Sequence, residues 1–277
     1  MSSSAAARLP SRRTPRRRAR TRFGRRFRRW RKGATAAWRR FRVAPPALRG
    51  FIVAALVLAS LAAANLVYHV ARKPTEMLFP VSGALDKPPA ETWRDYAPLF
   101  REYSTAAIPP ELLAALAQIE GAGNPVAHTY WRWRLDWHPF AIWAPASSAV
   151  GMYQMTDAAF AEARRYCIRD HRVVADGCWW TGLYTRILPS HAVALTAIYL
   201  DRNVAAVLGD RSPPASPRQT AALAALIHLC GTGPAKAYLR HGFRLAPGER
   251  CGDHDPARYL ARVAEMEQEF RRLAEGR

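Results

Sequence analysis

Residues 109–125 read Pro-Pro-Glu-Leu-Leu-Ala-Ala-Leu-Ala-Gln-Ile-Glu-Gly-Ala-Gly-Asn-Pro. Proline is tolerated in the first turn of a helix and glycine breaks one, so the stretch predicts a short helix between Pro109-Pro110 and Gly121/Gly123. Leu113, Leu116, Ala117 and Glu120 fall at i, i+3, i+4 and i+7 and share one face. That face is apolar except for Glu120. Burying an unpaired carboxylate is costly. Apolar surroundings and the negative end of a helix dipole both favour the protonated form of a carboxyl. A carboxyl held protonated near neutral pH is what general-acid catalysis requires. The simpler reading is a Glu at a frayed helix end that turns to solvent.

Outward toward the N-terminus, residues 72–96 carry Pro74, Pro80, Pro88 and Pro89 among polar residues and read as a linker. Before them, residues 51–71 hold no Asp, Glu, Lys or Arg. As a helix they span roughly 30 Å, the thickness of a hydrocarbon core, and predict a single transmembrane helix. A cleaved signal peptide is the alternative, with Ala62-Ala63-Ala64 as the cleavage region, but the apolar run and the tail before it are both long for a signal.

The chain carries 42 Lys and Arg against 21 Asp and Glu, a formal charge of +21. Of these, 18 basic and no acidic residues lie in residues 1–50, so the rest is nearly balanced. Such a tail cannot bury enough apolar surface to order itself and reads as disordered. Its aromatic residues allow a basic amphipathic helix over 25–42 on a membrane surface. Ser11-Arg12-Arg13 lies too far from the apolar run to be a twin-arginine signal. The positive-inside rule places residues 1–50 in the cytoplasm and residues 72–277 across the membrane. Anionic lipid is then the nearer partner for the tail, and nucleic acid is disfavoured.

Outward toward the C-terminus, residues 97–277 read as one mainly helical domain with weak strand signals and no internal repeat. Thr156 caps a helix to about Asp170. Ser190 opens one to about Val207. Ser216-Pro217-Arg218-Gln219 is a capping-box pattern that starts a helix ending at Gly231, and Asp255-Pro256 opens the last, ending near Gly276. Four cysteines on the far side of a membrane suit disulfides, and sequential pairing, Cys167–Cys178 and Cys230–Cys251, closes two short loops. No close Cys/His cluster points to a metal, and no cofactor motif is present.

Three further stretches carry candidate chemistry. In residues 147–156, Gly151 permits close backbone approach and Gln154 can donate and accept hydrogen bonds. Residues 228–233, His-Leu-Cys-Gly-Thr-Gly, follow an apolar helix, and His228 has Ala221, Ala224 and Ala225 on its face. Tyr259 lies in the first turn of the last helix. Each stretch also has a packing explanation. Between Glu120 and Gln154 lies an aromatic run, Tyr130, Trp131, Trp133, Trp137, Phe140 and Trp143. It suits either a glycan groove or a small core of its own. Trp179 and Trp180, beside Cys178, read as structural.

Together and in this order these stretches resemble the soluble-type (SLT) lytic transglycosylases, a family with a lysozyme-like helical fold. Glu120, Asn124 and Pro125 match the family's catalytic Glu and the turn after it, with Gly121 where the family has Ser. Gly151-Met152-Tyr153-Gln154 is similar to its Gly-Leu-Met-Gln stretch. Gly231 and Gly233 match two glycines of its third motif, with His228 in place of Tyr and Leu229 in place of Asn. Tyr259 matches a Tyr early in the terminal helix. The resemblance covers about residues 100–270, and the 34 residues from Glu120 to Gln154 are about twice the family's usual spacing.

The resemblance implies a lyase acting on peptidoglycan glycan strands, with Glu120 as the single acid/base. Gly151, Tyr153, Gln154, His228 and Tyr259 would bind substrate. It also implies a bacterial inner-membrane protein with a periplasmic catalytic domain, a placement that allows an envelope-spanning protein complex as partner. Two other readings stand beside it. A lysozyme-type hydrolase needs a second carboxylate, for which Asp136 and Asp157 are nearest. A murein-binding scaffold would explain the departures at Gly121 and His228.

Overall fold

The computed structural model describes residues 38–73, 77, 82–210 and 214–276. The expectations for residues 1–37, the disordered tail and most of the 25–42 helix, lie outside the described residues. The same holds for residues 74–76 and 78–81 of the expected linker. The chain divides into two bodies, residues Met1–Ala64 and Asn65–Arg277.

In the first body, residues 38–43 are helical, and Trp38 stacks on Phe41 at 5.7 Å. Helix α1, Pro46–Arg72, then begins at the Pro45-Pro46 pair, five residues before the expected start, and its residues 65–72 belong to the second body. It is long and apolar enough to cross a membrane, with a best-window mean hydropathy of 2.3. At 1.5 Å per residue its 27 residues reach about 40 Å.

The second body is mainly helical and is built around the 109–125 stretch. Helix α2, Pro89–Glu102, precedes helix α3, Pro110–Gly121. Helix α4 is Asp157–Ala163, α5 Pro189–Leu208, α6 Pro217–Cys230, α7 Thr232–Arg240 and α8 Pro256–Ala274. α3 packs against α8, α2 and α5, and α6 packs against α5, α7 and α8.

The one-sided face expected for α3 is a correction. Residues 112–117 are all buried, because helices close on it from several sides. Full burial of Leu112, Leu113 and Leu116 contributes about 1.5–3 kcal/mol each. The helix ends at Ala122, which adopts the left-handed conformation (φ 49°), so Gly121 stays within the helix.

The linker also ends earlier than expected. Pro88-Pro89 does not continue the linker; Pro89 is the first residue of α2, where its missing N–H costs nothing. Thr92, Trp93, Ala97 and Phe100 of α2 are buried, so the folded domain includes residues 89–96.

The helix expected to about Asp170 stops at Ala163, although Thr156 caps it as read. Its remainder forms a hairpin of β3, Cys167–Arg169, and β4, Arg172–Val174. Asp170 and His171 turn the chain with φ of 47° and 59°, the left-handed pair a two-residue hairpin turn demands. A second hairpin pairs β1, Trp131–Trp133, with β2, Trp143–Pro145.

The Ser216 capping box forms with both of its hydrogen bonds, and Asp255 caps α8 through the Arg258 N–H. The Gly231-Thr232-Gly233 break is shorter than expected, since α7 starts at Thr232 and contains Gly233. Both sequential disulfides, Cys167–Cys178 and Cys230–Cys251, are present. Trp180 is half-buried against Arg169 (5.5 Å), whereas Trp179 is largely exposed and touches the Trp180 ring edge-on at 5.9 Å.

Candidate active site

Glu120 sits in the last turn of α3, at the edge of the core. Its side chain is 18% exposed, and it is not turned out to solvent. The Tyr259 hydroxyl donates to Glu120 Oε1 at 2.5 Å. His228 Nε2 lies 3.8 Å from the same oxygen, with a side chain 9% exposed. Three elements converge here: the end of α3, the last turn of α6 and the first turn of α8.

Each side chain is placed by local rules. The Asp255 cap and Pro256 fix where α8 begins, and so fix Tyr259 in its first turn. The capping box and Pro217 start α6, and its buried Ala221, Ala224 and Ala225 let it lie close to its neighbours. The Cys230–Cys251 disulfide joins the end of α6, two residues after His228, to the segment leading into α8.

Burial, then the negative charge of Glu120 and the hydrogen bond to it, push the Tyr259 phenol well above its usual range. The phenol therefore stays protonated and is a standing donor to Oε1. Oε2 has no hydrogen-bond partner among the described residues. At 3.8 Å the His228 contact is too long for a direct hydrogen bond. It attracts Glu120 when the imidazole is protonated.

The Gly151–Gln154 turn abuts the end of α3. A Cβ on Gly121 would stand 2.8 Å from both the Cα and the carbonyl oxygen of Met152. Gly151 has φ +80°, and a Cβ there would meet the Arg186 carbonyl oxygen at 2.2 Å, so only glycine fits. Gln154 adopts φ 45°, sparsely populated for a residue with a side chain. Its backbone N–H and its side-chain Nε2 both donate to the Gly151 carbonyl at 2.9 Å. The side chain thus braces its own turn.

Tyr153 is a correction. It is 1% exposed and belongs to the core, so its ring forms no wall of a groove. Its hydroxyl is buried without a hydrogen-bond partner. Asn124 is buried too, donating to Asp86 Oδ1 (2.9 Å) and accepting from the Val126 N–H (3.0 Å).

Arg186 had no sequence signal. Its guanidinium donates to the Ser148 and Met155 carbonyls and to Asp157 Oδ1 (3.0, 2.8 and 2.6 Å), clasping both ends of the 151–154 turn. Asp136 caps the His138 N–H (3.0 Å) and lies 3.8 Å from Arg134. Neither carboxylate considered as a second acid has a hydrogen bond or ion pair with Glu120; Asp136 faces Arg134 and Asp157 pairs with Arg186 near the surface. Among the described residues no group of His, Cys, Asp and Glu is arranged to hold a metal. No protein-family model matches the chain, and no curated protein matches it.

Proposed function

We propose that this chain is a membrane-anchored peptidoglycan lytic transglycosylase with a lysozyme-like catalytic domain. The observation that carries the reading is the meeting of Glu120, His228 and Tyr259, which the sequence holds 108 and 139 residues apart. The family resemblance assigns those positions to one site, and they share one carboxylate oxygen.

In this reading Glu120 protonates the glycosidic oxygen between N-acetylmuramic acid and N-acetylglucosamine from Oε2, while Tyr259 holds Oε1. The substrate's own N-acetyl group stabilises the cationic C1. Glu120, now a base, takes the proton from the muramoyl 6-hydroxyl as that oxygen attacks C1. The product is a 1,6-anhydro sugar and no water is consumed. In this reading one carboxylate suffices. α1 anchors the protein in a bacterial inner membrane, with the basic tail cytoplasmic and the disulfide-bonded domain periplasmic.

The test is mass spectrometry of peptidoglycan digested with the full chain in detergent micelles and, in parallel, with Glu120→Gln. Anhydro-muropeptides from the wild type alone are the expected result. Reducing-end products that vanish in the variant would make the protein a hydrolase. Binding without products from folded protein would favour the scaffold reading, in which Gln154, bonded to its own turn, is unavailable to a sugar.

A further inference from the structure

Asn65, His69 and Lys73 fall at i, i+4 and i+8, one polar stripe along the last turns of α1 and just past its end. Each meets a backbone carbonyl of the 140–149 segment. Asn65 Nδ2 donates to Trp143 O (2.8 Å), His69 Nε2 to Phe140 O (2.9 Å) and Lys73 Nζ to Ala149 O (2.7 Å). Tyr68 stacks on Phe140 with ring centroids 4.4 Å apart, and His69 meets the Trp131 ring edge-on at 5.0 Å. The β1–β2 hairpin is thus fastened to the end of the helix that is apolar enough to cross a membrane.

The tip of this hairpin is exposed, with Trp133 stacked on Trp143 (ring centroids 5.9 Å apart). Trp133 is 75% exposed, Leu135 106% and Trp137 102%. Arg132 and Arg134 alternate with them and are also exposed, Arg134 lying 3.8 Å from Asp136. Trp beside Leu, interleaved with Arg, is the composition that sits in the headgroup layer of a bilayer.

We infer that the 131–145 hairpin is a second membrane contact, with Trp133, Leu135 and Trp137 seated in the headgroup layer of an anionic bilayer beside the exit of α1. Because α1 starts at Pro46, residues 46–64 alone rise about 28 Å, nearly the hydrocarbon thickness, which leaves residues 65–72, rising about 10 Å, for the headgroup layer instead of the core. Lipid is favoured over glycan for two reasons. Leu135, the most exposed apolar residue of the tip, offers no flat face to a sugar. Trp131 and Trp143 pack tilted against each other with centroids 4.5 Å apart, Trp143 is also stacked by Trp133 (5.9 Å) and Trp131 is met by His69, so these rings are engaged within the hairpin and its base. The consequence is a domain tethered at two points, which restricts its orientation over the membrane. The inference rests on reading α1 as the anchor and not on the proposed reaction.

Because all four native cysteines are in disulfides, one introduced cysteine is the sole free thiol. The full chain carrying Leu135→Cys, Trp137→Cys, Leu58→Cys or Gln268→Cys is spin-labelled and placed in nanodiscs of phosphatidylcholine and phosphatidylglycerol. Accessibility to oxygen relative to a water-soluble nickel chelate reports depth. All four positions are exposed, so the substitutions leave the fold intact. The expected ratio is highest at 58, intermediate at 135 and 137, and lowest at 268. A ratio at 135 and 137 equal to that at 268, with 58 still high, overturns the hairpin contact and leaves the anchor standing. A low ratio at 58 overturns both. Water-exposed labels at 135 and 137 that become immobile only when purified peptidoglycan is added would assign the hairpin to glycan instead.

Discussion

Gly121 has no room for a side chain, since the backbone of Met152 lies where a Cβ would go and Ala127 Cβ stands 3.1 Å away. A serine there, the residue of the resembling family, must push one backbone segment off another. Gly121→Ser is expected to destabilise the domain by about 1–3 kcal/mol, the usual cost of overpacking. Urea unfolding in detergent checks this; an unchanged midpoint would mean that the turn yields freely. The buried phenols give a second prediction at this scale. Tyr153 and Tyr259 are both pushed well above the usual range, chiefly by burial. Unfolding releases them to about 10. The unfolded state then loses protons that the folded state keeps. Stability is therefore unaffected below about pH 10 and falls above it. Melting temperatures across pH 8–11 are expected to drop steeply only at the alkaline end, and less so for Tyr153→Phe. Gly121 and Glu120 were singled out by the sequence because a charge on an apolar stripe and a glycine after it are local signals. Tyr153 was misread because a residue between two site positions looks like a third, and only burial distinguishes it.

At the scale of elements, the Cys230–Cys251 disulfide links two helix ends that carry site residues. It closes a loop of 21 residues, for which chain entropy predicts about 3 kcal/mol. Cys167–Cys178 closes a shorter loop on the β3–β4 hairpin. Replacing either pair by Ser is expected to lower the melting temperature. On the proposed reaction, only the Cys230/Cys251 pair is expected to slow anhydro-muropeptide release beyond what its melting shift explains, because His228 and Tyr259 lose their common tie. Equal losses of rate from both pairs would refute that coupling. Most helix starts were legible in the sequence: Thr156, Ser216 and Asp255 cap as read, since a cap is decided within four residues, whereas α5 starts at Pro189 behind Leu188, so Ser190 lies inside its first turn and does not open it. Helix ends were less so. α4 stops seven residues early because Cys167 is drawn to Cys178 and Val173 packs beside Ile198 in a small core.

For the whole molecule, the two tests above separate cleanly, since muropeptide products report Glu120 and label depth reports the hairpin. The sequence by itself determined a basic tail, one helix fit to cross a membrane, a mainly helical body and the identity of Glu120 as the unusual charge; of the three possible cysteine pairings it favoured the sequential one, which the structure shows. These follow from composition, periodicity and short-range caps, each fixed by neighbours along the chain. Tertiary structure alone decided that Tyr259 and His228 share one oxygen of Glu120. It alone decided that Arg186 clasps the Gly151 turn, and that α2 and all sides of α3 are buried. It alone placed the aromatic hairpin on the end of α1. These depend on residues tens to more than a hundred positions apart, whose meeting is set by how helices pack and not by any pattern within one of them.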